Sequence, residues 1–228
     1  MTSLNLIATP PRAKRPGVNS TLAAIVAVAA LAQAPHAVAD SPLARLGDPQ
    51  AEQVVQAGAQ RLLSILADRT LSPAPKNARF QPAINDLADV PKITSFVLGK
   101  YARTITPGQR EQFATAFRAY AESAYRNRLE DYHGETLKVS GSVVRKPGDV
   151  IVSTVVSGGQ LARPSAVAWR VLSAGGSWKV VDVQFKGVWL AITQQQDFVS
   201  TIDNAGGNVG VLIAQLESKS EQPAAVRR

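Results

Sequence analysis

The hydrophobic period of this chain changes at Leu137, and that change limits what it can fold into more than any other feature. Upstream, apolar residues recur at spacings of 3 and 4, as in Val55, Ala59, Leu62 and Leu66 and again in Phe113, Phe117, Tyr120 and Ala124. That spacing marks one face of an α-helix. From Leu137 the alternation has period two, the signature of strands, and beyond Thr193 the pattern is helical again. Helices, then a sheet, then helices predict an α+β fold.

The helix starts are written locally. Asp48-Pro49 offers a capping carboxylate with proline at the first helical position, and Asp89-Val90-Pro91 repeats the device. Thr106-Pro107 with Gln109 is a capping box, and the helix behind it can run to about Glu130, roughly 24 residues and about 36 Å. Two prolines mark Leu71–Pro75 as a loop. Pro82 either limits the helix carrying Phe80, Ile84 and Leu87 to a short one or sits in its first turn. Gly99 reads as a terminator. Leu137–Arg145, Val150–Ser157, Val167–Leu172 and Trp178–Phe185 read as four strands, with turns at Lys146–Asp149 and Ala174–Gly176. Short connections make an antiparallel meander the simplest sheet, with Gly187 bending or ending its last strand. Thr193–Asn204 and Val209–Leu216 are helical around a Gly206-Gly207 break, and the chain after Ser218 reads as a fraying tail.

The first 39 residues carry a different message. Arg12, Lys14 and Arg15 precede the uncharged run Thr21–Ala32, and Ala37-Val38-Ala39 follows before Asp40. Basic, apolar and small-x-small in that order is the layout of a secretory signal peptide, with cleavage expected after Ala39. The run is too short to span a bilayer; a retained anchor is the competing reading. A single domain is expected over 40–218, with 219–228 as a disordered tail. Losing three basic residues lowers the net charge from +8 to +5, so part of the basicity that might point to nucleic acid is a targeting signal. The chain has no cysteine, which excludes disulfides, thiolate metal sites and cysteine nucleophiles. Export without cysteine fits the bacterial periplasm.

Little in the sequence does covalent chemistry. His133 is the sole histidine after the signal segment; it is either a helix-terminal basic group or a lone general base. No Gly-x-Ser-x-Gly elbow, phosphate loop or His-Glu-x-x-His is present, so no catalytic, cofactor or metal residues are assigned. Glu130-Asp131 carry no marked spacing, and Asp182 within a strand reads as a hydrogen-bonding group. The solvated face of the long helix accounts for Arg110, Arg118, Arg126 and Arg128.

A family pattern runs through these residues. Phe96-Val97-Leu98-Gly99-Lys100-Tyr101-Ala102-Arg103, Thr106-Pro107-Gly108-Gln109-Arg110, Phe113 with Phe117, and Tyr132-His133-Gly134 resemble the MlaC, or toluene-tolerance auxiliary, family. Trp169-Arg170, Gly175–Val183, Gly187-Val188, Phe198 and Gly206-Gly207 continue the resemblance in order, from about Pro49 to Glu217. The resemblance implies a periplasmic carrier of glycerophospholipid without catalytic residues. It implies helices on a curved sheet, cone-shaped like nuclear transport factors, around an apolar cavity. It implies two partners: an inner-membrane ABC transporter with an MCE-domain protein, and an outer-membrane lipoprotein–porin complex. Ala102, Trp189, Thr193-Gln194-Gln195 and Asn208-Val209-Gly210 depart from the pattern, mostly near the last strand and the helix after it, so a hopanoid or other polycyclic lipid is the alternative cargo.

Physical chemistry asks the same of a carrier. Each buried methylene stabilises by about 0.8 kcal/mol. Two acyl chains of roughly 30 methylenes together need on the order of 20–25 kcal/mol of apolar shelter. Phe113, Phe117 and Tyr120 on the long helix, facing Val167, Trp169, Val171, Val181 and Val183 on strands, are the candidate walls, with Phe96, Tyr101 and Val188. Each is as readily core as lining. Arg103 and Arg126 are candidates for the headgroup at the mouth, since burying an unpaired phosphate is costly. An isomerase-like enzyme using Asp182 and an adaptor without cargo are the competing functions.

Overall fold

The computed structural model describes residues 47–129 and 132–221, without the side chains of 125–129. The signal segment 1–39, the pair Glu130-Asp131, the side chain of Arg126 and the last residues of the tail, 222–228, lie outside the described residues. Among the described residues run α1 (Pro49–Ala67), α2 (Pro73–Leu87), α3 (Val90–Val97), a 3₁₀ helix (Gly99–Arg103) and α4 (Pro107–Leu129). Then come β1 (Glu135–Lys146), β2 (Asp149–Gly158), β3 (Ser165–Ala174), β4 (Ser177–Phe185) and β5 (Val188–Trp189), followed by α5 (Leu190–Asn204) and α6 (Val209–Glu221).

The local signals for helix ends hold. Asp48 Oδ1 accepts from the amides of Gln50 at 3.0 Å and Ala51 at 2.9 Å. Thr106 and Gln109 bond each other's backbone amides reciprocally, at 3.2 and 3.0 Å. Gly206 and Gly207, both at positive φ, close α5 by donating to Asp203 and Ile202 at 3.0 and 2.9 Å, a Schellman cap.

α2 corrects the expected loop and the expected short helix. It begins at Pro73 and runs 15 residues, straight through Pro82. Pro73 and Pro75 sit in the first turn, where the missing amides have no intrahelical partner to lose. Pro82 forgoes one bond on an exposed face, while Phe80, Ala83 and Leu87 are buried on the other. Two boundaries also shift: α5 starts at Leu190, three residues before Thr193, and α6 continues to Glu221.

The sheet is an antiparallel meander in the order β1-β2-β3-β4-β5. Five strands replace the expected four, because Lys186 and Gly187, at φ 50° and 80°, turn the chain back into the two-residue β5. Register shifts in β1 and between β3 and β4 mark bulges, which bend and twist a sheet. Each edge is partly occupied. Gln56 on α1 stands in for a strand rung at β1, donating to the Leu137 carbonyl and accepting from the Val139 amide at 3.0 Å. At β4, Ala88 bridges Val180 at one end and β5 pairs at the other.

Two apolar cores result. One is helical and joins Val97 and Leu98 to Phe113 and Ala116 of α4, Phe198 and Ile202 of α5, and Val209, Leu212, Ile213 and Leu216 of α6. The other lies between α1 and one face of the sheet: Ala51, Val55, Leu87, Val150, Val152, Val171 and Val180.

Candidate functional site

Directly opposed residues of an antiparallel sheet share a face. Val150 opposes Val171, Val152 opposes Trp169, and Thr154 opposes Val167; across β3, Trp169 meets Val183 and Val167 meets Phe185. This is the face that α1 covers, and its cover is graded. Val171 is 0% exposed, whereas Trp169, Val167, Val183 and Phe185 are all half-buried. Along β3 exposure rises from Val171 to Trp169 and Val167, while on β2 the same face stays buried through Val152 and Thr154.

Trp169 is pinned at that boundary. Its indole N–H donates to Thr154 Oγ1 at 2.9 Å, and the Thr154 hydroxyl donates to the Val167 carbonyl at 3.1 Å. Thr154 was not among the expected site residues. Its signal is the one polar residue at an inward register in the run Val150, Val152, Thr154, Val156.

On the helical side, Phe113, Phe117 and Phe198 form a triangle with ring centroids 5.7 to 5.9 Å apart. Phe113 is 0% exposed; Phe117 and Tyr120 are half-buried against the same core. Burial raises the Tyr120 phenol above its ordinary value, and the charge of Asp197 adds to this. The aromatic face of α4 packs on other helices, in a cluster separate from the one that holds Val171, Trp169 and Val183. The reason is that α1 already covers the sealed part of the sheet while α6 and α5 take the buried stripe of α4.

The other candidates scatter. Val181 is buried at the β4 bulge. Tyr101 packs partly on the helical core while its hydroxyl and Lys100 both bond Asp203 at the end of α5, the lysine at 3.0 Å. Phe96 and Val188 are at the surface, 39% and 48% exposed. Arg103 is exposed at the end of the 3₁₀ helix.

The titratable groups serve the fold. Arg170 forks onto buried Asp149 at 3.1 and 3.0 Å, with Arg145 at 3.6 Å, which holds the Asp149 carboxyl below the usual carboxylate range. Asp182 Oδ1 accepts from the amides of Val183 at 2.7 Å and Ala191 at 2.8 Å, so a strand carboxylate caps the first turn of α5. Burial pushes its pKa up and those amides pull it back. Asp182 is thus the hydrogen-bonding group expected of it. Among the described residues no group of three His, Cys, Asp or Glu side chains could hold a metal, and no helix is long and apolar enough to cross a membrane. The arrangement offers two separate apolar cores, each bordered by half-buried side chains.

Comparison with known proteins agrees with this geometry. The curated "Intermembrane phospholipid transport system binding protein MlaC" of Haemophilus influenzae is 25% identical over 134 residues, which is 57% of this chain; the match spans 61% of that relative's length. A solved phospholipid-binding protein from Ralstonia solanacearum, determined in complex with a phospholipid, superposes with a TM-score of 0.68 at 25% identity, over 77% of this chain and 99% of that one. The model of the MlaC protein family matches residues 56–218, most of the chain, and the chain therefore belongs to the MlaC family.

Proposed function

We propose that this protein is a periplasmic phospholipid carrier, and that it shelters acyl chains between the helical core and the open part of the sheet face. The observation that carries this is the separation of two apolar cores, with Phe117 and Tyr120 half-buried on one and Trp169 and Val183 half-buried on the other. The likeness to a protein solved with phospholipid bound supports the same cargo. Phe113 and Val171, fully enclosed, serve as the foundations of the two walls.

The headgroup stays at the mouth, because an unpaired buried phosphate costs several kcal/mol or more. Arg103, exposed, is the basic group available to it among the described candidates. No nucleotide site is present in the sequence, so directional transport draws its energy from a partner: an inner-membrane ABC transporter with an MCE-domain protein on one side, an outer-membrane lipoprotein–porin complex on the other. The relative from Haemophilus influenzae, named for an intermembrane transport system, supports that setting. Export through cleavage after Ala39 would leave a single domain of net charge +5, suited to anionic lipid or acidic partner rims.

Native mass spectrometry of the purified mature protein tests this reading. The expected result is one stoichiometric lipid per chain in the wild type and clearly less in Phe117→Asp, with circular dichroism verifying the fold of the variant. A polycyclic mass in place of phospholipid would assign a hopanoid-type cargo, and wild-type protein free of lipid would overturn the carrier.

A further inference from the structure

We propose that Trp169, held by Thr154, is the floor against which acyl chains end, and so sets the chain length this carrier accepts. The inference rests on the carrier reading and goes beyond it by assigning a selectivity to one side chain.

Three observations carry it. Along β3 the inward residues pass from fully enclosed Val171 to half-buried Trp169 and Val167, so Trp169 is the first inward side chain of β3 that is not fully enclosed, while its β2 neighbours Val152 and Thr154 stay buried beneath it. It is also the bulkiest inward residue of β3. Its neighbours across the sheet, Val152 and Val183, are small enough that the indole alone fixes the local height of the wall. Finally, the indole cannot swing aside freely: its N–H is bonded to Thr154 Oγ1 at 2.9 Å, and Thr154, 1% exposed, is itself tied to the Val167 carbonyl at 3.1 Å. Leaving the indole N–H without a partner in an apolar setting is costly, so the bond holds the ring in one orientation. A flexible apolar residue could yield to a longer chain; a hydrogen-bonded indole gives a definite stop. Thr154 acts as a positioning residue, without touching the cargo.

The test equilibrates the mature protein with vesicles of phosphatidylethanolamines of graded saturated chain length, lauroyl to arachidoyl, in equal amounts, and reads the bound masses by native mass spectrometry. The wild type should disfavour the longest chains. Trp169→Ala, which removes the indole from a close-packed wall, should shift the bound distribution upward by about four carbons per lipid. Trp169→Phe should shift it by about two, and it serves where the alanine variant fails to fold. Thr154→Val keeps the volume but frees the indole, and should broaden the distribution. A folded Trp169→Ala or Trp169→Phe protein with the wild-type distribution overturns the chain-length floor while leaving the carrier intact. A Thr154→Val distribution as narrow as the wild type removes the positioning role. Wild-type protein that takes lipid from no vesicle overturns the carrier reading instead, and the two failures are distinguishable.

Discussion

Arg170 and Asp149 illustrate how a single pair can be read and misread. Asp149 appeared in the sequence only as part of a turn, yet it is a strand residue, 2% exposed, gripped by both arms of the Arg170 fork. An unfolded aspartate titrates near 4, and Arg170 holds the folded one lower. The pair therefore stabilises the fold above about pH 4, and the contribution fades as the pH falls through the lower folded value. Asp182, raised by burial, works in the opposite sense and offsets part of that loss on acidification. Asp149→Asn should lower stability at neutral pH by about 1–2 kcal/mol, since Arg170 is only partly screened from water. Denaturant melts should show the gap to wild type closing below about pH 4; a gap that stays constant into acid would place its origin elsewhere than in charge. Arg170 belonged to a visible Trp-Arg pair, but its partner was hidden, because a cross-strand diagonal depends on the register of β2 on β3, which sets Asp149 opposite Leu172 and Ile151 opposite Arg170. Thr154 was hidden for a similar reason: the indole it anchors lies 15 residues away on the next strand.

Among the elements, starts and stops were legible because their causes are local. Asp48, Asp89, the Thr106–Gln109 box and the Gly206-Gly207 cap each satisfy backbone groups within a few residues. The meander was legible through the short turns between its strands. α2 was not, since three prolines in ten residues read as breakers until their positions in the helix are known. Nor could periodicity say which partner each face meets: the buried stripe of α4 packs on α5 and α6. Gly58 belongs to this class of hidden contact. A methyl added there would come within 2.5 Å of Leu87 Cδ1, so α1 and α2 approach as closely as a glycine allows. Replacing a mid-helix glycine by alanine ordinarily gains up to about 1 kcal/mol. Here overpacking against buried Leu87 should dominate, and Gly58→Ala should lose about 1–2 kcal/mol in thermal or urea unfolding. A stabilised variant would mean that the two helices separate easily.

For the whole molecule, the division into two cores is the feature that no stretch of sequence announces. Hydrophobic patterning identifies buried faces, but a carrier needs faces that are apolar and incompletely filled by their own protein. Half-buried Phe117 and Tyr120 on the helical core and half-buried Trp169 and Val183 on the sheet core are the apolar side chains left incompletely enclosed for the proposed cargo. The chain has three tryptophans, Trp169, Trp178 and Trp189, which makes the location of cargo directly measurable. With Trp178→Phe and Trp189→Phe in place, Trp169 is the remaining indole, and lipids brominated at defined depths report contact by quenching its fluorescence. Chains brominated near the methyl end should quench Trp169 strongly, and lipid brominated at the headgroup should leave it bright. Equal brightness with both lipids in a loaded protein would contradict the account, because the acyl chains would then lie somewhere other than between the helices and the sheet.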